Sequence, residues 1–130
     1  MAYLIDTNIA IHLRDGDPGV LAKFHEHAGS VAMSALTLTE LERGLYKTPA
    51  LTAARTPRLD SVLRHIPVLP YDQAAAFAYG RIIAQLGLAR GKDYDRMIAA
   101  HAISTRSILV TNNVGDFSAI AGLSLEDWSR

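Results

Sequence analysis

The stretch Ala2-Tyr3-Leu4-Ile5-Asp6-Thr7-Asn8-Ile9 changes character at one aspartate. The apolar run before Asp6 is too short for a helix and predicts a strand buried on both faces. From Thr7-Asn8 onward the spacing turns helical, with Ile9 and Leu13 one turn apart. A buried strand running through a polar residue into a helix is the opening of an alternating α/β chain.

The rest of the chain repeats that alternation. Asp15-Gly16-Asp17-Pro18 is a break and a restart, with Pro18 placed at a first helical turn, and predicts a helix to residue 29. Residues 31–34 predict a second strand and residues 36–46 a helix ended by Thr48-Pro49. Helical sequence then runs to His65, divided at Pro57 into two pieces. Residues 66–69 predict a third strand, and Asp72 an N-cap for a helix reaching Gln85 or Leu86. After a loop over residues 87–92, a helix starts at Asp93 or Tyr94 and continues to about Arg106. Residues 108–111 and 123–125 complete a set of four to five strands. Short, continuous apolar strands separated by helices predict a parallel sheet covered on both faces, in one domain spanning residues 1–130. In such sheets the site lies beyond the carboxyl ends of the strands.

Composition narrows the chemistry. The chain has 130 residues and no cysteine, which excludes disulfides, thiolate zinc sites and a cysteine nucleophile. Thirteen basic residues balance thirteen acidic ones, so nucleic-acid binding would need local positive charge. No leader pattern opens the chain and no apolar run is long enough to span a bilayer, which predicts a cytoplasmic protein without membrane contact. Phosphate-binding glycine loops and the Gly-x-Ser-x-Gly elbow are missing. The five histidines, His12, His25, His27, His65 and His101, read as surface or packing residues.

Acids at strand ends remain. Asp6 either caps the helix after it or presents a carboxylate at the sheet edge, and the two roles are compatible. Asp95 heads the apolar stripe Ile98, Ala99, Ala102, Ile103, which predicts an acid turned toward the core rather than into solvent. Asp93 reads as the cap of that helix. Thr37-x-x-Glu40 matches a capping box, a structural role for Glu40, and the Leu38, Leu41, Leu45 stripe leans toward Glu42 as the inward acid. Asn113 and Asp116 follow the fourth strand, where loop residues are ordinarily polar. Clustered carboxylates raise one another's pKa values, so such a cluster implies a cation. Magnesium suits it, since that ion takes hard oxygens and keeps several waters.

The chain is similar to a known family at several points. Tyr3-Leu-Ile-Asp-Thr-Asn8 resembles the opening signature of PIN-domain proteins. Ser34-Ala-Leu-Thr-Leu-Thr-Glu-Leu-Glu-Arg-Gly44 resembles their second motif, Asp95-Arg-Met-Ile-Ala-Ala-His101 the third, and Val110-Thr-Asn-Asn113 with Asp116-Phe117 the fourth. The ending Gly122-Leu-Ser-Leu-Glu-Asp-Trp128 is similar to that of VapC-type toxins. The resemblance implies a PIN-like three-layer fold, a parallel sheet between helices. It implies RNA cleavage dependent on Mg2+ or Mn2+, with Asp6, Glu40 and Asp95 as the acidic core and metal ligands, and so selects Glu40 over Glu42. It places Asn113 where many PIN proteins carry an aspartate, with Asp116 able to supply the charge. On that reading Lys92 and Arg96, together with Arg43 and Arg90, lie near the site for RNA phosphates, and Asn113 supports substrate or metal. The resemblance also implies a type II toxin–antitoxin pair: a homodimer held by a VapB-type antitoxin, acting on RNA such as tRNA. Leu41, Leu45 and Tyr46 are candidates for the antitoxin groove.

Two other functions fit parts of the sequence. An aspartate-based phosphatase or phosphotransferase would use Asp6 as nucleophile, but the haloacid-dehalogenase-like pattern needs an aspartate where this chain has Asn8. A non-catalytic RNA- or protein-binding module would explain the neutral charge and Asn113, but not the retention of three acids.

Overall fold

A computed structural model describes residues 2–129. Five strands, β1 (Tyr3–Ile5), β2 (Val31–Ser34), β3 (Val68–Leu69), β4 (Ile108–Val110) and β5 (Leu125–Glu126), form one sheet in the order β3-β2-β1-β4-β5. Every pairing is parallel, as the short apolar runs predict. The connecting helices are α1 (Thr7–Arg14), α2 (Pro18–Glu26), α3 (Ala35–Lys47), α4 (Pro49–His65), α5 (Gln73–Leu86), α6 (Asp93–Ser104) and the short α7 (Val114–Phe117).

Alternation along β1 makes the three layers. Tyr3 and Ile5 pack with Ile9, Leu13, Leu41, Leu45, Leu59 and Val62, from α1, α3 and α4. Leu4, on the opposite face, packs with Ala78, Ile82, Ile98, Ala99 and Phe117, from α5, α6 and α7. No helix among the described residues is long and apolar enough to cross a membrane.

Several boundaries differ from the sequence reading. α4 is one helix with Pro57 inside it. Its first half is tied to α3 by the Thr52 hydroxyl donating to the Leu45 carbonyl (2.6 Å) and by the Arg55 guanidinium donating to the Gly44 carbonyl (3.0 Å). Burial of Leu59 and Val62 holds the second half, so tertiary contacts outweigh the lost N–H. Ile66 caps α4 rather than starting a strand, which shortens β3 to Val68–Leu69. α2 stops at Glu26 and α6 at Ser104, each followed by turn residues; Arg106 lies in the left-handed region (φ 54°), which ends the helical run. β5 is displaced toward the C-terminus and pairs through Glu126, whose carbonyl accepts the Thr111 amide at 3.0 Å.

Candidate active site

The sheet order reverses between β1 and β4, the point at whose carboxyl end a parallel sheet of this kind places its ligand crevice. Asp6 stands there, one residue past β1. Its amide donates to the Val110 carbonyl of β4 (2.9 Å), and its Oδ1 accepts the Ile9 amide (3.0 Å), so the residue is both strand end and N-cap of α1. It is buried, with 6% of its surface exposed.

Glu40 comes from α3, which follows β2 on the other side of β1. The helix is capped by Ser34, whose Oγ accepts the Leu36 amide at 3.1 Å. The capping box expected of Thr37 and Glu40 does not form. Ser34 already occupies the cap position, Thr37 lies inside the helix, and Glu40 accepts a hydrogen bond from the Thr7 hydroxyl of α1. Thr37 Oγ1 is buried and has no hydrogen-bond partner among the described residues. Glu42 is exposed, against the lean of the stripe, and Glu40 is the half-buried acid.

Asp95 lies in the first turn of α6. It is solvent-exposed, a correction to the expectation of a core-facing acid, because the buried part of α6 begins only at Ile98. Protein on one side still desolvates it. Asp93 is not the cap either: Lys92 holds that position, its side chain bonding no amide of the first turn, and Asp93 accepts from the Tyr79 hydroxyl at 3.1 Å. After β4, the Asn113 side-chain Nδ2 donates to Asp116 Oδ2 (2.6 Å), and Lys92 Nζ lies 3.8 Å from Asp116 Oδ1.

Electrostatics links these groups. Burial raises the Asp6 carboxyl above the ordinary carboxylate range. Hydrogen bonding from the Thr111 side chain and the Ile9 amide pulls it down, and the charges of Asp95 and Glu40 push it up. Asp95 is raised by desolvation and by Asp116, against Lys92. Asp6, Glu40, Asp95 and Asp116 therefore share one electrostatic neighbourhood. Among the described residues, however, no three acidic or histidine side chains close into a preformed metal cage.

The basic candidates divide. Lys92 is exposed beside Asp116, whereas Arg96 donates to the Gly87 carbonyl at 2.5 Å and braces the loop before α6. Arg43 and Arg90 are exposed. Leu41 and Leu45 are core residues, 1% and 4% exposed, which removes them from any docking surface; Tyr46 is 66% exposed.

Sequence reasoning missed the hydroxyls. Thr7 holds Glu40, and Thr111, fully buried, acts on Asp6 and accepts the Asn113 amide at 3.0 Å. A polar residue ending a buried apolar strand was the available signal for Thr111. Thr7 gave none, since its partner is distant in sequence.

Known proteins resemble the whole chain. The model of the PIN domain family matches residues 3–123. The chain is 36% identical to the tRNA(fMet)-specific endonuclease VapC of Shigella flexneri, over 99% of either chain. It is 31% identical to Ribonuclease VapC2 of Rickettsia felis over the full length of both. Its fold superposes on the crystal structure of VapBC2 from Rickettsia felis bound to a promoter DNA fragment with a TM-score of 0.88, at 30% identity, covering 98% of this chain and 99% of that one. The DNA-bound VapBC from Salmonella typhimurium gives the same TM-score at 32% identity, with 98% of each chain covered.

Proposed function

Because the chain belongs to the PIN-domain family, among its VapC ribonucleases, we propose that it is a divalent-metal-dependent endoribonuclease and the toxin of a type II toxin–antitoxin pair. The observation that carries this is the grouping of Asp6 with Asp95 and Glu40 at the β1–β4 end of the sheet, where burial raises the Asp6 carboxyl and the two acids add to the rise. Hard oxygen donors without histidine or cysteine suit Mg2+, or Mn2+ in its place, and an ion that keeps its waters needs only one or two carboxylates. That chemistry fits a site with no closed cage. The ion, when bound, offsets the charge developing on the scissile phosphate and makes water a better nucleophile.

The chain's own residues supply the rest. Asp6 and Asp95 would hold the ion. Glu40, oriented by Thr7, takes a proton from the attacking water as its oxygen bonds to phosphorus; the P–O3′ bond breaks and the leaving oxygen takes a proton from solvent, leaving a 3′-hydroxyl and a 5′-phosphate. Asp116 and Asn113 are the fourth acidic position between them, the aspartate supplying charge and the amide fixing it. Lys92 contacts RNA phosphates, which gives affinity without sequence choice. Arg96 serves by holding the loop that carries Lys92.

By analogy with its relatives, the substrate is structured RNA such as a tRNA. The protein is a cytoplasmic single domain over residues 1–130 and a homodimer, and its partner is a VapB-type antitoxin. The test is incubation of purified, antitoxin-free protein with total bacterial RNA and Mg2+. Discrete fragments that vanish with EDTA support the reading. Intact RNA in the presence of folded protein and either metal overturns it.

A further inference from the structure

Far from solvent, a hydrogen bond joins α6, which carries Asp95, to the end of β2 that caps α3, the helix of Glu40. His101 of α6 is 1% exposed, and its Nδ1 lies 2.8 Å from the Oγ of fully buried Ser34. Ser34 ends β2, caps α3 and stands six residues before Glu40; His101 stands six after Asp95. The imidazole also meets the edge of the Tyr71 ring, with centroids 5.5 Å apart and planes at 85°. Ser34 Oγ accepts the Leu36 amide and still has a proton to give or a lone pair to offer, so either tautomer of His101 completes the pair.

The surroundings make a packing role insufficient. Besides Ile98 and His101, α6 buries only the small side chains Ala99, Ala100 and Ala102, which form shallow ridges. A buried polar pair is no more stabilising than apolar filling of the same volume, but it fixes direction and distance. Burial also keeps His101 below the ordinary histidine range, against the charge of Asp72, so at neutral pH the pair is a neutral hydrogen bond.

We propose that His101 is a positioning residue: through its bond to Ser34 it sets the separation of Glu40 from Asp95, and with it the affinity of the carboxylate cluster for a divalent cation. This rests on the metal-dependent nuclease reading above. The group acts through α3 and α6 and touches neither metal nor RNA.

The experiment is calorimetric titration of metal-free protein with Mn2+, alongside RNA cleavage across Mn2+ concentrations. Wild type is compared with His101→Leu, His101→Asn and Ser34→Gly, and with Ile82→Val as a core change on α5 away from the pair. Asparagine places an amide near the Nδ1 position, and glycine keeps most of the capping value of Ser34. A partner bonded directly to a metal ligand is worth about 10- to 100-fold in metal affinity; this pair acts one step further out, so a loss of up to about 10-fold is expected. We expect that loss in His101→Leu and Ser34→Gly, a matching rise in the Mn2+ needed for cleavage, an unchanged KM for RNA, substantial recovery in His101→Asn, and wild-type affinity in Ile82→Val. Wild-type Mn2+ affinity in folded His101→Leu or in Ser34→Gly overturns the proposal while leaving the nuclease intact. Wild type that neither binds Mn2+ nor cuts RNA overturns the nuclease reading, and the proposal with it.

Discussion

The Thr7 hydroxyl on α1 donates to Glu40 Oε1 on α3, joining residues 33 apart in sequence. The bond aims an acid that the helix alone leaves free to rotate. A hydrogen bond to a charged group contributes about 1.5–3 kcal/mol. Thr7→Val is therefore expected to lower kcat by roughly 10- to 100-fold, with KM for RNA little changed, and Thr7→Ser to restore most of it. Steady-state cleavage of a defined RNA checks both.

Asp6→Asn separates stability from catalysis. The amide keeps the oxygen that accepts from Ile9 and removes a buried charge facing Asp95 and Glu40. Thermal melting of the metal-free variant at neutral pH should occur above wild type, and cleavage should fall by at least about 100-fold.

How much of this was legible in the sequence depends on the range of each interaction. The caps at Asp6 and Asp72 are local and were read correctly, since each carboxylate bonds an amide three residues on. The alternation that places Tyr3 and Ile5 opposite Leu4 is equally local. The Glu40 bond to Thr7 and the His101 bond to Ser34 cross the fold, and no spacing encodes them. The same holds for Pro57, where contacts to Leu45 and Gly44 keep α4 whole. The Thr37–Glu40 capping box failed because Ser34, at the strand end, was a competing cap. Asp95 precedes the apolar stripe of α6 but is exposed, because burial of that helix begins only at Ile98.

The raised carboxyls fix the sign of the pH dependence. Between the ordinary value of 3.8 and its raised value, folded Asp6 holds a proton that the unfolded chain has lost. Stability of metal-free wild type should accordingly fall as pH rises through that window. Asp95 acts in the same direction but more weakly, because solvent screens it. Saturating Mg2+ should reduce the loss, adding about 2.7 kcal/mol at a concentration 100 times its Kd. Denaturant unfolding at several pH values, with and without Mg2+, measures the slopes.

Lys92 separates phosphate binding from folding. Its pair with Asp116 is exposed and 3.8 Å long, so Lys92→Ala should change stability by less than about 0.5 kcal/mol. Affinity for RNA should drop across all sequences, with the salt slope shallower by about one charge. Binding measured over a salt series by the cleavage-deficient Asp6→Asn protein, with and without Lys92→Ala, tests this.

Asp6, Glu40 and Asp95 are proposed to act as one metal-dependent cleavage site. The most direct test compares wild type with Asp6→Asn, Glu40→Gln and Asp95→Asn, each verified as folded and free of antitoxin, on total bacterial RNA with Mg2+, followed by mapping of the cut ends. Wild type is expected to give discrete cuts bearing 5′-phosphates, and all three variants to lose them. Undiminished cutting by any one of the three, or ends bearing a 2′,3′-cyclic phosphate, would contradict it.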